Sequence, residues 1–484
     1  MTMAESKTET ERTERMGTGI QEKEKPNGSV ILALEEQGQE ISLQNSFRFS
    51  FTMPEDGFAE LDLAARSDSD WSEPDRESAV VRLYLGEQYN QDVILFYGSS
   101  SFTYTRVLGH LAAGDYTVEI VFRAEASSPK VERAWIDAVQ MRIIPDLSPQ
   151  ELVYRHAPLL YGRCLAHPYE NRFTDTPLMM FYSLDVRDGK TVIEYQMMFS
   201  HEDEGTPAPF LMSKWGRTTD IEWMYRVELD AAGNTVTAEF QGEHHITTSF
   251  GGGYDLGGHP VLQTATANGN FTDCISSQYR FLLPPLFQWK PEQEPREAVM
   301  MKHPFAFQVT NWEMKRQEPL ELPPVLSSIA LTDQRYYVFV QMFKQPLAAG
   351  ITELEDMPKA GFNSREEDGC VDIQVRLKGS DEWYSSCYHD LHADGFRAAY
   401  EGAEAHFSTT IKLPCLAVLE DIAEIRAVLL EGGAERMRVG ELRVFVLDEQ
   451  YRPATWEIRS SSMRLLTRDQ PVSVLWVAEE SGVV

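Results

Sequence analysis

The chain lacks the apolar runs that span a membrane or direct export. No stretch of its 484 residues approaches the roughly 18 consecutive apolar residues of a membrane-spanning helix. Residues 1–28 are polar and charged, without the apolar core of about 7 to 15 residues that a signal peptide needs. We therefore predict no membrane span and a cytoplasmic location, with export by a route that cleaves no leader as the alternative.

Basic residues and cysteines are also few. Lysine and arginine total 44 against 75 aspartates and glutamates, and the resulting net charge of −31 repels phosphate backbones. A nucleic-acid partner is therefore not expected. The five cysteines are odd in number and widely spaced, with no Cys-x-x-Cys pair, which disfavours a zinc or dithiol motif and indicates buried free thiols.

The familiar catalytic signatures are missing as well. The sequence contains no Gly-x-Ser-x-Gly elbow, no His-Glu-x-x-His, no Walker loop and no dinucleotide fingerprint. A cofactor-dependent redox enzyme is thus disfavoured. The chemistry that remains is that of carboxylates with histidine or a metal, as in sugar hydrolysis or elimination, where an acid and a base flank one bond.

What the chain does contain is short β-forming runs separated by turn residues. Its length suggests about three domains, and 42% hydrophobic residues supply enough material for several cores. Alternating short runs predict an all-β fold of three consecutive antiparallel β-sandwich, jelly-roll-like domains after a disordered N-terminal tail. The predicted units are the disordered tail, 1–28; a first sandwich, 29–145; a central sandwich, 146–283; a linker, 284–304; and a C-terminal sandwich, 305–484. Residues 416–430 have an amphipathic helix as the alternative to a strand.

Two segments of the first unit resemble the strands of carbohydrate-binding jelly-roll modules. Residues 107–120 read Val-Leu-Gly-His-Leu-Ala-Ala-Gly-Asp-Tyr-Thr-Val-Glu-Ile, a Gly-x-Tyr strand followed by alternating apolar residues. Residues 135–143 are similar to the closing strand of those modules. The resemblance implies a glycan ligand for this unit.

The best candidate site lies in the central unit. Asp220 and Glu222 are two residues apart in a β-forming segment, so both carboxylates should project from one face of the sheet. His201 and Asp203 lie in the acidic segment just before it. Because calcium and magnesium prefer six or more oxygen ligands, we predict a divalent cation, Ca or Mg, held by Asp203, Asp220, Glu222 and His201. The nitrogen of His201 would shift the preference towards a transition metal.

Six of the eleven histidines lie between residues 151 and 283. His259, next to a Gly-Gly pair, is the preferred imidazole, and a catalytic reading would use Glu222, Asp220 and His259. The competing interpretation is a solvated acidic face paired to Arg217 and Lys214, with no site.

Several segments of the central unit occur in the same order as in one known family. Residues 216–222 form a Gly-x-x-x-Asp-x-Glu, which, with residues 154–161 and 258–262, resembles the vacuolar-sorting-protein-62-related domains. More distantly, it resembles the necrosis-inducing proteins and their Gly-His-Arg-His-Asp-Trp-Glu heptapeptide. In that family the Asp and Glu surround a divalent cation on a β-sandwich that engages sphingolipid head-group sugars, which implies such a role for Asp220 and Glu222. The two histidines and the tryptophan of the heptapeptide are replaced here by Arg217, Thr219 and Ile221.

We therefore predict a soluble multi-module β-sandwich protein with a carboxylate-rich site for a polyhydroxylated, glycan-like ligand, with or without a divalent metal. The first alternative is a glycan-active hydrolase or lyase that uses the paired carboxylates and a histidine. The second is a non-catalytic structural or interaction protein. The sequence predicts neither an oligomeric state nor the identity of the ligand.

Overall fold

The fold consists of six β-sheets that follow one another in three pairs, in the part of the chain that the structure describes. The structure is a computed structural model and describes residues 28–164, 176–201, 207–317, 319–326, 328–347, 371–388, 406–430 and 435–478. The predicted all-β, antiparallel sandwich architecture is confirmed. The predicted disordered tail lies, up to residue 27, outside the described residues.

The first sandwich contains one sheet in the order β1-β8-β3-β6 and another in the order β2-β7-β4-β5. Its strands are β1 (Ser29–Ile41), β2 (Phe47–Met53), β3 (Gly57–Ser67), β4 (Ala79–Leu85), β5 (Gln88–Leu95), β6 (Phe102–Leu111), β7 (Gly114–Phe122) and β8 (Ala134–Pro145). Strand β2 shows why these segments are strands. Phe47, Phe49 and Phe51 are buried, and the residues between them face solvent, which is the period-two pattern of a half-buried sheet.

The central sandwich pairs a six-stranded sheet, β14-β13-β12-β11-β10-β19, with a smaller sheet, β15-β16-β9-β18, to which β17 adds beside β16. Its strands are β9 (Leu159–Tyr161), β10 (Pro177–Arg187), β11 (Lys190–Phe199), β12 (Asp220–Leu229), β13 (Thr235–Gln241), β14 (Thr247–Ser249), β15 (Tyr254–Asp255), β16 (His259–Thr264), β17 (Phe271–Thr272), β18 (Arg280–Phe281) and β19 (Pro285–Gln288). The short helices Glu151–Arg155 and Ala208–Trp215 and the 3-10 turn Glu243–His245 complete it. Strand β12 therefore lies inside the larger sheet, between β11 and β13.

The third sandwich pairs β23-β20-β25-β26, with β27 beside β25, against β22-β21-β24-β28. Its strands are β20 (Tyr337–Pro346), β21 (Val371–Leu377), β22 (Trp383–Ser385), β23 (His406–Lys412), β24 (Ile422–Leu429), β25 (Arg436–Phe445), β26 (Ile458–Ser460), β27 (Arg464–Thr467) and β28 (Val472–Val477). The 3-10 turns Gln334–Tyr336 and Leu419–Asp421 precede β20 and β24. The segment with a helical alternative is thus a strand from Ile422 onward, because β21 and β28 pair with both of its edges.

The region predicted as a linker differs from a simple connector. Strand β19 adds to the central sheet parallel to β10, and the helix Ala298–Lys302 follows. The helix Phe305–Gln317 then lies at the start of the unit predicted as the C-terminal sandwich. Its buried residues include Thr310, Asn311 and Glu313, so the polarity of the sequence does not separate a buried from an exposed face of the helix.

That helix lies among all three sandwiches. Phe305 packs on Phe102 of the first sandwich at 5.0 Å between ring centroids, and Phe307 packs on Phe339 of the third at 5.5 Å. Its Glu313 accepts a 2.6 Å hydrogen bond from the Trp71 indole. No helix within the described ranges is both long and apolar enough to cross a bilayer.

Candidate functional site

Asp220 and Glu222 lie at the first residues of β12, at one end of the central sandwich. In the register with β11, Asp220 is opposite Phe199 and Glu222 is opposite Met197. Gly269, in the turn between β16 and β17, faces both carboxylate side chains. A Cβ at Gly269 would collide with Asp220 Oδ2 and would lie 3.1 Å from Glu222 Cγ. The structure therefore brings the two carboxylate side chains together against this turn.

Glu222 belongs to a chain of polar contacts that links three parts of the sandwich. Gln241, the last residue of β13, donates a hydrogen bond from Nε2 to Glu222 Oε2. The same nitrogen lies 2.7 Å from His245 Nδ1, and His245 Nε2 lies 3.0 Å from the Asn268 amide nitrogen. We call Glu222, Gln241, His245 and Asn268, with Asp220 beside them, the rim site.

The rim site is half open to solvent. The side chain of Glu222 is 13% exposed and that of His245 is 40% exposed, whereas Gln241 is buried. His245 Nδ1 lies 3.8 Å from Glu222 Oε2, so the imidazole and the carboxylate face each other across the Gln241 amide. A ligand in solvent can therefore contact the His245 ring and the exposed part of the Glu222 side chain.

The turn that presents His245 has an unusual backbone. His244 and His245 both have left-handed φ angles, 59° and 58°, a region that residues other than glycine seldom occupy. The turn is held by a 2.9 Å hydrogen bond from Gly242 N–H to the Ile246 carbonyl and by a 3.1 Å bond from His244 N–H to Asn270 Oδ1. Backbone strain of this kind is typical of binding and catalytic sites.

The structure places His201 beside a different carboxylate. Its Nδ1 lies 3.7 Å from Oε1 of the fully buried Glu313, on the helix Phe305–Gln317. Burial alone raises the pKa of Glu313, but His201, Arg316 and the Trp71 indole together hold that pKa below its ordinary value. Asp203, the remaining predicted ligand, lies outside the described residues.

His259 is not part of the rim site. It begins β16, whereas the turn carrying Gly269 follows the end of that strand, about 16 Å away at the usual strand rise. Its Nδ1 lies 2.8 Å from the Ala157 carbonyl, and its buried Nε2 has no hydrogen-bond partner. Burial lowers the pKa of His259 to about 4. The catalytic trio predicted from the sequence is therefore not assembled in one place.

The predicted calcium or magnesium ion stays a prediction, because Asp203 lies outside the described residues and His201 lies beside Glu313. Such ions take six or more oxygens, and nowhere in the described ranges do three or more His, Cys, Asp or Glu side chains come together as a set of metal ligands. Arg217, which replaces the first histidine of the heptapeptide, is buried and pairs with Glu297 at 3.2 Å. Its guanidinium also donates to the Thr219 carbonyl.

The sequence reasoning overlooked Gln241, His245 and Asn268 as site residues. The signal that could have found Gln241 is the hairpin around residues 230–234. Antiparallel pairing of Tyr225 with Phe240 brings the end of β13 next to the start of β12. The placement of His245 had no such signal, because two consecutive left-handed histidines are not what a sequence pattern predicts.

No known family model matches this chain, and no curated protein matches it either. Solved structures resemble parts of it. A CBM36-1 domain of a xylanase from the hindgut metagenome of Trinervitermes trinervoides is 21% identical, covers 24% of this chain and 96% of its own, and has a TM-score of 0.18. A carbohydrate-binding module CBM36 in complex with calcium and xylotriose is 12% identical over 24% of this chain and 93% of its own, with a TM-score of 0.17. The protein NLPPya in complex with mannosamine is 14% identical over 30% of this chain and 75% of its own, with a TM-score of 0.20.

Proposed function

We propose that the rim site of the central sandwich binds a polyhydroxylated, glycan-like ligand. The observation that carries this proposal is the connected, half-open chain of Glu222, Gln241, His245 and Asn268, presented on a strained turn.

The side chains of the rim site suit hydroxyl groups. A sugar offers neighbouring hydroxyls that each donate and accept, and carboxylates and amides are complementary to both roles. Glu222 Oε1 accepts no hydrogen bond from any residue in the described ranges, so it remains available to a ligand. A hydrogen bond to an ionised carboxylate in a half-buried position is stronger than one between neutral groups.

The resemblances noted in the sequence agree with this class of ligand. Carbohydrate-binding jelly-roll modules and the necrosis-inducing proteins both engage sugars, and the first sandwich would then act as an accessory module. A divalent cation is not required by the proposal, because the rim site has its own hydrogen-bonding groups.

A glycan array, followed by calorimetric titration of the best-retained oligosaccharide, tests the proposal. We expect the wild type to bind and Glu222→Gln to lose about tenfold or more in affinity, since a charge-assisted hydrogen bond becomes a neutral one. Glu228→Gln is the matched control. It lies on the same strand, about 20 Å away, where Glu228 pairs with Lys190.

Equal affinity of Glu222→Gln and wild type, or no glycan retained by the wild type, would contradict the proposal. Assay of the same mixtures for released reducing ends separates binding from cleavage. Turnover by the wild type that Glu222→Gln abolishes would favour the hydrolase alternative.

A further inference from the structure

We infer that Gln241 is the positioning residue of the rim site: its single amide orients the Glu222 carboxylate and fixes the proton of neutral His245 on Nε2. This role concerns the same site as the proposed function, and rests on it only where ligand affinity is concerned.

The orientation of the Gln241 amide follows from Glu222. An ionised carboxylate can only accept hydrogen bonds, so the side of the amide facing Glu222 Oε2 must be the NH2 group. The opposite orientation would direct the amide oxygen at the carboxylate. Gln241 is 1% exposed, so no solvent competes for this choice.

The NH2 group of Gln241 also faces His245. Its Nε2 lies 2.7 Å from His245 Nδ1, and a donor at that distance requires Nδ1 to accept. A neutral imidazole accepts at one nitrogen and donates at the other, so the proton lies on Nε2. One amide therefore uses its two hydrogens to constrain two side chains.

Asn270 supports the same assignment independently. Its Oδ1 accepts a hydrogen bond from His244 N–H, which turns its NH2 group towards His245 Nδ1 at 3.5 Å. Asn270 is 2% exposed. A second donor group thus faces the nitrogen that Gln241 already identifies as the acceptor.

Asn268 must then present its oxygen to the other side of the ring. Its Nδ2 is placed 3.0 Å from His245 Nε2, but two donors cannot share a hydrogen bond. Rotation of the amide by half a turn, which changes no heavy-atom position appreciably, brings Oδ1 to that place.

This arrangement determines which partner in the hydrogen bond between Glu222 and the ligand is the donor. With Oε2 held by Gln241, Glu222 offers Oε1 to the ligand as an acceptor. The ligand group at this position must therefore donate, as a sugar hydroxyl does. Loss of the Gln241 amide would free the carboxylate to rotate and would weaken the ligand without removing any group that touches it.

Long-range proton–nitrogen correlation spectra of histidine-labelled protein, recorded without ligand on the full chain, test this role. Spectra at a pH where the ring is neutral should show wild-type His245 protonated on Nε2, with the signal assigned by its loss in His245→Gln. In Gln241→Leu, which removes the donor to Nδ1, the tautomer protonated on Nδ1 should become more populated. Gln196→Leu is the control: Gln196 is also buried in this sheet and also donates to a glutamate, Glu194, at 2.6 Å.

An Nδ1-protonated ring in the wild type would overturn the role of Gln241, and that measurement needs no variant to fold. For ligand affinity we expect a loss of about tenfold or more in Gln241→Leu and less than about twofold in Gln196→Leu. Equal affinities in wild type and a folded Gln241→Leu would also overturn it. If the tautomer is as inferred and no glycan binds, the positioning role stands and the proposed function fails.

Discussion

The rim site and the joint between the first and central sandwiches contain the same kinds of residue in opposite settings. At the rim, His245 is 40% exposed and shares an amide with Glu222. At the joint, His259 is 1% exposed, and the Phe58 ring lies 5.5 Å from it. Next to Phe58 on the same face of β3, Glu60 is buried. A histidine and a glutamate therefore indicate a binding site only where they are accessible to solvent and keep hydrogen-bonding atoms available to a ligand.

At the joint, polar side chains form hydrogen bonds with one another in the interface between the first and central sandwiches. Glu60 accepts a 2.5 Å hydrogen bond from the Tyr154 hydroxyl and a 3.0 Å bond from Arg142. Burial raises the pKa of Glu60 to about 6, against the lowering effect of these partners. These contacts lie between the first and central sandwiches, where Glu60 is 3% exposed.

The largest expected effect is at the joint. Phe58 packs against the rings of His110, Tyr154 and His259, so Phe58→Ala should destabilise the protein by about 3–5 kcal/mol while leaving glycan affinity at the rim unchanged. Denaturant unfolding measures the loss. Val236→Ala, at a 46% exposed position of β13, should change stability by less than about 0.5 kcal/mol. A small effect of Phe58→Ala would mean that the joint is not a packed interface.

Acid should weaken the joint through His259. Its pKa is about 4 in the folded chain against 6.5 ordinarily, so the unfolded chain binds more protons between these values. The contribution is present above pH 6.5 and is lost as the pH falls to 4, by about 3 kcal/mol. Unfolding free energies measured from pH 7 to pH 4 should fall less steeply in His259→Asn than in the wild type.

Glu60 adds a second test to the same experiment, because its contribution to stability changes with pH in the opposite direction to that of His259. Its folded pKa of about 6 lies above the ordinary 4.5, so its contribution is present below pH 4.5 and is lost as the pH rises through 6. Glu60→Gln should therefore make the rise in stability between pH 4.5 and 6 steeper than in the wild type. An unchanged slope in both variants would show that the joint does not couple to protons.

An intermediate effect is expected at the rim from Gly269→Ala. The φ angle of Gly269 is +63°, and the new Cβ would collide with the Asp220 carboxylate, so we expect a loss of about 2 kcal/mol and of glycan affinity. Gly189→Ala isolates the backbone term, because Gly189 has a φ of +76° with nothing within 4 Å of its Cβ position. The control should cost about 1 kcal/mol and leave affinity intact. Equal losses in the two variants would show that Gly269 does not contact the site.

The smallest expected effect is that of divalent cations. Of the predicted ligands, Asp220 and Glu222 lie side by side, and a cation held by two carboxylates alone binds weakly, so calcium and magnesium should raise the melting temperature only slightly. A thermal-shift titration measures this. A large, saturable rise in melting temperature that disappears in Glu222→Gln would place a tightly bound cation at the rim after all.

Local sequence rules predict which side chains share a face within one strand, but not how separate segments pack together. Asp220 and Glu222 are neighbours on one strand, so their common side follows from the two-residue repeat of the sheet. His201 and His259 were grouped with them because they are close in sequence or flanked by glycines, but their positions depend on how separate segments pack. His245 reaches the rim through a left-handed turn that tertiary contacts impose.

The helix Phe305–Gln317 escaped prediction for a different reason. Its buried side contains Thr310, Asn311 and Glu313, and Trp312 lies on the less buried side, so the helix lacks the separation of polar and apolar residues by which a surface helix is recognised.

The position of this helix has a practical consequence for anyone who wishes to dissect the protein. A fragment that ends before residue 305 would expose Phe102 and Trp71 to solvent, because Phe305 and Glu313 contact them in the whole chain. A fragment that begins at residue 305 would lack Phe102 and Tyr97, on which Phe305 and Trp312 pack. Fragments expressed singly are therefore poor surrogates. The full-length polypeptide is the proper material for ligand screening and crystallisation.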